Sequence, residues 1–161
     1  MTPALLMLTL AGTAQAQDIV NGREETAFPA TVAIGAQLGE YTMAVCTGSL
    51  ITPEVVLSAA HCGSDYPPEL VVQVGAAFFG SRVDNSEQTV GFDSFVVHPD
   101  YVPLDSGGSF SGSYNWDDLG QNDVALLVLS EPVDVQPVWF RTEPLDDVAV
   151  GQTVTSVGFG V

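Results

Sequence analysis

The sequence predicts an all-β domain in which short strands form a small barrel or sandwich. Runs of Val, Ile, Leu and Phe are short and are broken by Gly, Pro, Asp and Ser. Long stretches with the 3.6-residue apolar period of a helix are absent. The 161 residues include 16 Gly and 10 Pro, which is typical of a chain with frequent turns. We expect one domain, without an internal repeat or a dividing linker.

Each strand is predicted where β-branched and aromatic residues lie between turn residues. The predicted strands cover residues 31–34, 42–51, 55–58, 70–74, 88–97, 124–129 and 152–157. The small residues after position 58 predict a single helical turn at 59–62. Residues 105–121 are rich in Gly, Ser, Asp and Asn, and this composition predicts a long surface loop.

The first residues are typical of an export signal. An apolar run at 5–10 is followed by Ala14-Gln15-Ala16, a small-x-small cleavage pattern. The run is too short to span a bilayer. We therefore expect a signal peptide at 1–16 and a secreted protein. No Lys or Arg precedes the run, so the signal is atypical or the true start lies upstream. The alternative is a buried N-terminal strand or helix.

The charge of the chain excludes several classes of function. It has three Arg, no Lys and 20 acidic residues, giving a formal net charge of −17. Phosphate binding needs clustered cations, so we expect no binding to nucleic acid or to anionic membranes. The acidity favours solubility over a specific basic partner.

The two cysteines favour a disulfide. An even count behind an export signal is typical of an oxidised, extracellular chain. A bond between Cys46 and Cys62 would close a loop worth about 3 kcal/mol in the chain-entropy model. Two buried free thiols are the alternative. We expect no metal and no cofactor, because the chain has no Cys-x-x-Cys or paired-His spacing.

Two residues have the placement that acid–base chemistry needs. His61 follows an apolar strand among small residues and next to Cys62, where an imidazole can be fixed and still reach a cleft. Asp123 precedes an almost wholly apolar strand, and a buried carboxylate needs a hydrogen-bonding partner. The Nδ1–H of His61 would satisfy it and leave Nε2 free. A structural histidine and a solvated turn aspartate are the alternatives.

Residues 19–22 are a third motif of interest. Two β-branched residues are followed by Asn-Gly directly behind the export signal. This arrangement favours a mature N-terminus at Ile19. An edge strand that ends in a turn is the alternative.

Six short motifs, taken in order, resemble the trypsin/chymotrypsin family of serine peptidases. They are Ile-Val-Asn-Gly at 19–22, Cys-Thr-Gly-Ser-Leu-Ile at 46–51, Leu-Ser-Ala-Ala-His-Cys at 57–62, Val-His-Pro-Asp-Tyr at 97–101, Asn-Asp-Val-Ala-Leu at 122–126 and Gly-Phe-Gly at 158–160. They are spread over nearly the whole chain after Asp18.

The resemblance implies a fold and a domain organisation. Residues 19–161 would form a six-stranded antiparallel Greek-key β-barrel, the N-terminal one of the two barrels of such a peptidase. Residues 17–18 would be a short propeptide. The position before Ile19 is Asp18, where trypsin-like zymogens usually have Arg or Lys. We hypothesise that removal of residues 17–18 matures the enzyme.

The resemblance also implies roles for individual residues. His61 would act as general base and then as general acid, and Asp123 would orient and support it. A Cys46–Cys62 disulfide would brace the histidine turn. His98 would have no catalytic role. The amino group of Ile19 would fold inward and pair with an aspartate near the nucleophile.

The nucleophile motif of the family, Gly-Asp-Ser-Gly-Gly, does not occur before Val161. We expect a second barrel of about 100 residues to carry the serine, the oxyanion hole and the specificity pocket, and to pack against this barrel. The fragment alone is expected to be inactive. The string Asp-Ser-Gly-Gly at 105–108 places Ser106 in the predicted loop and out of order, so we do not expect it to be the nucleophile.

The function expected from this resemblance is hydrolysis of proteins or peptides by a secreted serine endopeptidase. A non-catalytic relative that acts as a protein-binding module is the alternative, since one fold serves many functions. A single-barrel protein with another role is a third possibility. Retention of both His61 and Asp123 favours the enzyme, because a binding module has no chemical need for that pair.

Overall fold

Six antiparallel strands form a closed barrel in the computed structural model, which describes residues 22–102, 121–144 and 150–159. The strands, in chain order, are β1 (Thr31–Leu38), β2 (Tyr41–Thr52), β3 (Val55–Ser58), β4 (Gly75–Phe79), β5 (Gln88–Val97) and β6 (Ala125–Leu129). A 3₁₀ turn at Ala60–Cys62 follows β3, and helix α1 (Pro68–Val74) precedes β4. No helix among these residues has the length and apolar character to cross a membrane.

The strands follow one another around the barrel in the order β1-β2-β3-β6-β5-β4, and β4 pairs with β1 to close it. The strands β4, β5 and β6 are sequential neighbours, and β6 then returns to lie beside β3. The long connection from β3 to β4, which are not neighbours in the barrel, makes this arrangement a Greek key. The structure therefore confirms the six-stranded antiparallel barrel and excludes the sandwich.

The core lies inside the barrel because alternate residues of each strand point inward. In β6, Ala125, Leu127 and Leu129 are buried, while Leu126 between them is exposed. The largest fully buried side chains are those of Phe78, Leu50, Leu127, Val32 and Val56. Burying each apolar side chain of this size contributes about 1.5–3 kcal/mol, so the core gives the functional residues a rigid support.

A bulge shapes the long β1–β2 hairpin. The register of β1 on β2 shifts between Ile34 and Gly35. A Cβ atom at Gly35 would collide with the main-chain carbonyl of Met43. Only glycine therefore allows the two backbones to approach this closely.

Two predicted strands are wrong. Residues 70–74 are helical, because Pro68 occupies the start of α1, a position that proline favours. The strand of this region begins afterwards, at Gly75. Residues 152–157 form no strand, and Val154 is 85% exposed, because no neighbouring strand among the described residues pairs with them. The helical turn predicted at 59–62 is confirmed as the 3₁₀ turn.

Candidate active site

The turn that carries His61 is built from small residues. Ala60 is fully buried beneath it, so the turn is anchored to the barrel while the His61 side chain remains 52% exposed. The main-chain N–H groups of Gly63 and Ser64 both donate to the carbonyl of Ala60, at 3.2 and 3.0 Å. A larger residue at position 60 would lift the histidine off the barrel.

Strand register brings Asp123 to the same rim. Ser58 at the end of β3 pairs with Ala125 at the start of β6. Since these strands are antiparallel, the residues after Ser58 lie beside those before Ala125. The barrel itself therefore brings together His61 and Asp123, which are 62 positions apart in the chain.

The two side chains meet in a bonded pair. His61 Nδ1 lies 2.7 Å from Asp123 Oδ2, and the main-chain N–H of His61 donates to Asp123 Oδ1 at 2.9 Å. An ionised carboxylate can only accept hydrogen bonds, so the proton of a neutral imidazole sits on Nδ1. The lone pair of Nε2 is then available to take up a proton.

The backbone before Asp123 is held by its own contacts. Asn122 has φ = 56°, a left-handed conformation that asparagine tolerates better than most residues. Its Nδ2 donates to the carbonyl of Asp100 at 2.9 Å. Next to it, the N–H of His98 donates to the carbonyl of Val124 at 2.9 Å. These bonds fix the direction in which the carboxylate points.

The environment keeps Asp123 ionised. Burial by itself raises the pKa of this carboxyl, but hydrogen bonds from the ring and the main chain of His61 lower it by more. The charge of His61 and a hydrogen bond from the Ala60 backbone lower it further. The net pKa lies below its ordinary value, so Asp123 is a carboxylate at neutral pH.

The Cys46–Cys62 disulfide joins the histidine turn to β2. The Cα atoms of the two cysteines are 6.0 Å apart, within the usual range for such a bond. Free thiols and a zinc site on unbonded cysteines are therefore excluded for this oxidised chain. Ser58 Oγ donates to the carbonyl of Thr47 at 3.0 Å and lies 3.7 Å from Cys62 Sγ, which fastens the same region a second time.

His61 Nε2 lies over the disulfide. It is 3.9 Å from Cys46 Sγ and 3.8 Å from Cys62 Sγ. A cleft of about 420 Å³ lies elsewhere and is lined by residues 22–25, Phe28, Thr31, the Gly80–Ser81 turn and residues 155–159. No histidine lines this cleft. The His61–Asp123 pair and the Cys46–Cys62 disulfide, together called the histidine rim below, therefore lie outside it.

Other sequence predictions have different outcomes. His98 lies directly after β5, and its Nδ1 accepts the N–H of Asp100 at 3.2 Å. Ile19, Ser106 and the predicted signal peptide at 1–16 lie outside the described residues. The left-handed turn at Asn122 and the second bond from His61 to Asp123 were not predicted. The Asn-Asp pair was a usable signal for the turn, but a main-chain contact across 62 positions has no local signal.

Comparison with known proteins shows which family the chain matches. The family model described as Trypsin matches residues 19–161. Brachyurin from Leptuca pugilator is 36% identical over 121 residues, which is 74% of this chain and 46% of that protein. Trypsin-1 from Salmo salar is 30% identical over 164 residues, or 98% of this chain and 58% of that protein.

A mouse relative gives a similar result. Kallikrein 1-related peptidase b24 from Mus musculus is 32% identical over 129 residues, which cover 74% of this chain and 44% of that protein. In these three alignments the chain spans roughly half the length of its relatives. The match to the family model extends over nearly all residues after position 18, and the chain belongs to the trypsin family of serine peptidases.

Proposed function

We propose that this chain supplies the general base and its orienting carboxylate to a secreted serine endopeptidase. The observation that carries the proposal is the 2.7 Å contact between His61 Nδ1 and Asp123 Oδ2. It fixes the tautomer that a general base needs. The lowered pKa of Asp123 supports the same role, because only the ionised carboxylate stabilises the imidazolium that forms during the reaction.

In this mechanism a serine hydroxyl attacks the carbonyl carbon of a peptide bond. His61 Nε2 takes the proton of that hydroxyl and then delivers it to the leaving amine. In the second half of the cycle a water molecule loses a proton to the same nitrogen as its oxygen attacks the acyl carbon bound to the serine. Nε2 then returns that proton to the serine oxygen as the ester bond breaks, which frees the serine and the acid product. Asp123 remains ionised throughout and holds the ring in place.

The serine and the oxyanion hole are proposed to lie in a second barrel outside this chain. Exposed apolar side chains after β6 support that proposal. Trp139 is 99% exposed, and Phe140, Val150 and Val154 are exposed as well. Large apolar surfaces of this kind mark contacts with a partner. We propose that the second barrel packs on them.

Export and maturation are part of the same proposal. The apolar run at 5–10 and the Ala-Gln-Ala sequence at 14–16 support removal of a signal peptide. Removal of residues 17–18 would then expose the amino group of Ile19. Sequencing the N-terminus of the secreted protein tests this, because an active enzyme that retains Gln17 contradicts it.

The experiment that tests the proposed function has two arms. The first is to read the coding sequence downstream of Val161, where we expect a Gly-Asp-Ser-Gly-Gly segment. The second is to treat the secreted protein with a fluorophosphonate, which labels an activated serine. Label on that downstream serine, and its loss in His61→Ala, are the expected results.

The contrary outcomes are equally specific. A downstream barrel with its serine replaced indicates the binding module instead of the enzyme. Label on Ser106 places the nucleophile inside this chain. Rapid, His61-dependent peptide hydrolysis by purified residues 19–161 alone contradicts the need for a second barrel.

A further inference from the structure

We propose that reduction of the Cys46–Cys62 disulfide converts the histidine rim into a zinc site, with the two thiolates and His61 Nε2 as ligands. The proposal starts from three donor atoms that lie within 4.8 Å of one another. Two thiolates and one imidazole are a donor set that proteins use for zinc, with the fourth position left to water.

The distances from His61 Nε2 to the two sulfurs are close to those between the nitrogen and sulfur ligands of a tetrahedral zinc site. His61 Nε2 lies 3.9 Å from Cys46 Sγ and 3.8 Å from Cys62 Sγ. Bonds of about 2.3 Å to sulfur and 2.0–2.1 Å to nitrogen place tetrahedral S and N ligands about 3.6 Å apart. The present distances exceed this value by about 0.2–0.3 Å, and the rotation of the sulfurs described next must bring both of them within it.

The two sulfurs must separate, and side-chain rotation is enough for this. Tetrahedral thiolate ligands lie about 3.8 Å apart. The Cβ atoms of a disulfide are also about 3.8 Å apart, so parallel Cβ–Sγ bonds give the required separation. The Cα–Cα distance of 6.0 Å can therefore stay as it is.

The surroundings of the donor atoms also suit a metal site. Zinc-binding histidines usually donate their other ring N–H to a carboxylate, which fixes the ring and makes it a stronger ligand. Asp123 does this at 2.7 Å from His61 Nδ1. Ser58 Oγ lies 3.7 Å from Cys62 Sγ, where it can donate to a thiolate. The half-exposed histidine leaves a route for solvent to the fourth position.

The reaction balances with a dithiol as reductant. The dithiol gives two electrons and two protons to the Cys46–Cys62 bond and becomes a cyclic disulfide itself. Zinc then displaces both thiol protons and binds the thiolates. If the proposed function holds, the metal occupies the Nε2 lone pair that the general base needs, so zinc inhibits the reduced form.

The test is a titration of the 161-residue chain with zinc alone. The chain is reduced with dithiothreitol, which is then removed in oxygen-free buffer. We expect one zinc per reduced chain and none per oxidised chain. Cobalt in place of zinc should give the visible bands of tetrahedral thiolate coordination. A reduced chain that binds no zinc overturns the proposal.

Variants separate this site from adventitious binding. His61→Gln should weaken zinc binding at least tenfold, and Asp123→Asn should weaken it by about 10–100-fold. His98→Gln is the matched control, since His98 is the other histidine of the chain, and it should bind like the unmodified chain. Equal affinities for His61→Gln and His98→Gln contradict the site.

A stability measurement covers the case in which reduction loosens the fold. Zinc should raise the melting temperature of the reduced chain and leave that of Cys46→Ala/Cys62→Ala unchanged, although both lack the disulfide. An equal rise in both proteins, or no rise in either, contradicts the proposal. None of these results depends on a second barrel, so they are independent of the peptidase assay.

Discussion

The histidine rim and the connector show how differently two parts of one chain can be stabilised. We use "connector" for the described residues after β6, which are 130–144 and 150–159. At the rim, a disulfide and two hydrogen bonds from His61 to Asp123 join distant parts of the chain. The connector forms no strand, and its Trp139 is 99% exposed.

Contacts with the barrel hold the connector at intervals. The N–H of Val133 donates to the carbonyl of Pro53, and that of Val138 to the carbonyl of Leu50, both at 2.9 Å. Near the other end, the N–H of Phe159 donates to Thr47 Oγ1 at 2.9 Å. The rim is thus joined by a disulfide and hydrogen bonds, whereas the connector is attached to the barrel but leaves apolar side chains uncovered.

The largest expected effect is on catalysis at the rim. In the active enzyme, Asp123→Asn should lower kcat by about 10⁴-fold, because the amide stabilises the wrong tautomer of His61. Asp100→Asn is the matched control, since the carbonyl of Asp100 rather than its side chain holds Asn122. Steady-state kinetics measure both. A loss of less than tenfold in Asp123→Asn would show that the rim is not catalytic.

The second prediction compares the free energy of unfolding lost in the core with that lost in the connector. Phe78→Ala should lower the free energy of unfolding by about 3–5 kcal/mol, because it removes a fully buried ring. Trp139→Ala removes a larger but exposed ring and should change it by less than about 0.5 kcal/mol in this chain. Urea denaturation measures both values. Similar losses would mean that Trp139 packs in solution.

The disulfide gives a third, smaller effect. Cys46→Ala/Cys62→Ala should lower the free energy of unfolding by about 3 kcal/mol, since the unfolded chain gains conformational freedom. Urea denaturation of the oxidised parent chain and the double variant measures this loss. A loss near zero would mean that the barrel and the Asp123 contacts hold the rim without covalent help.

Sequence alone predicted much of the rim because its signals are local. Small residues around His61 and an apolar strand after Asp123 are visible in the chain, and the structure brings the two side chains together. Their catalytic roles stay predictions. The resemblance implied the disulfide beside the histidine turn, but the position of His61 Nε2 near both sulfurs was not predicted, because ring orientation has no signal in the sequence.

The wrong predictions arose where tertiary context decides the structure. Residues 70–74 are apolar enough for a strand, but a helix begins at Pro68 and includes them. Strand β4 therefore begins only at Gly75. Residues 152–157 have the alternation of a strand, but a strand also needs a neighbour to accept its hydrogen bonds. The local sequence pattern limits which secondary structures a segment can form. The segments that pack or pair with it in the fold decide which of these it adopts.

The smallest effect is the acid sensitivity of the rim. Because the pKa of Asp123 is lower in the folded chain than in the unfolded chain, its stabilisation is fully present above the unfolded pKa. It is lost as pH falls through the folded value. We expect the free energy of unfolding to fall on acidification below about pH 4.

Asp123→Asn isolates that contribution, since the amide does not titrate in this range. The parent chain should lose up to about 2 kcal/mol more than the variant between neutral and strongly acid pH, the scale of hydrogen bonds to a charged group. Urea denaturation across this range measures the difference. Parallel pH profiles for the two proteins would mean that the folded barrel does not favour the ionised carboxylate, and His61 would then lack the electrostatic support that a general base needs.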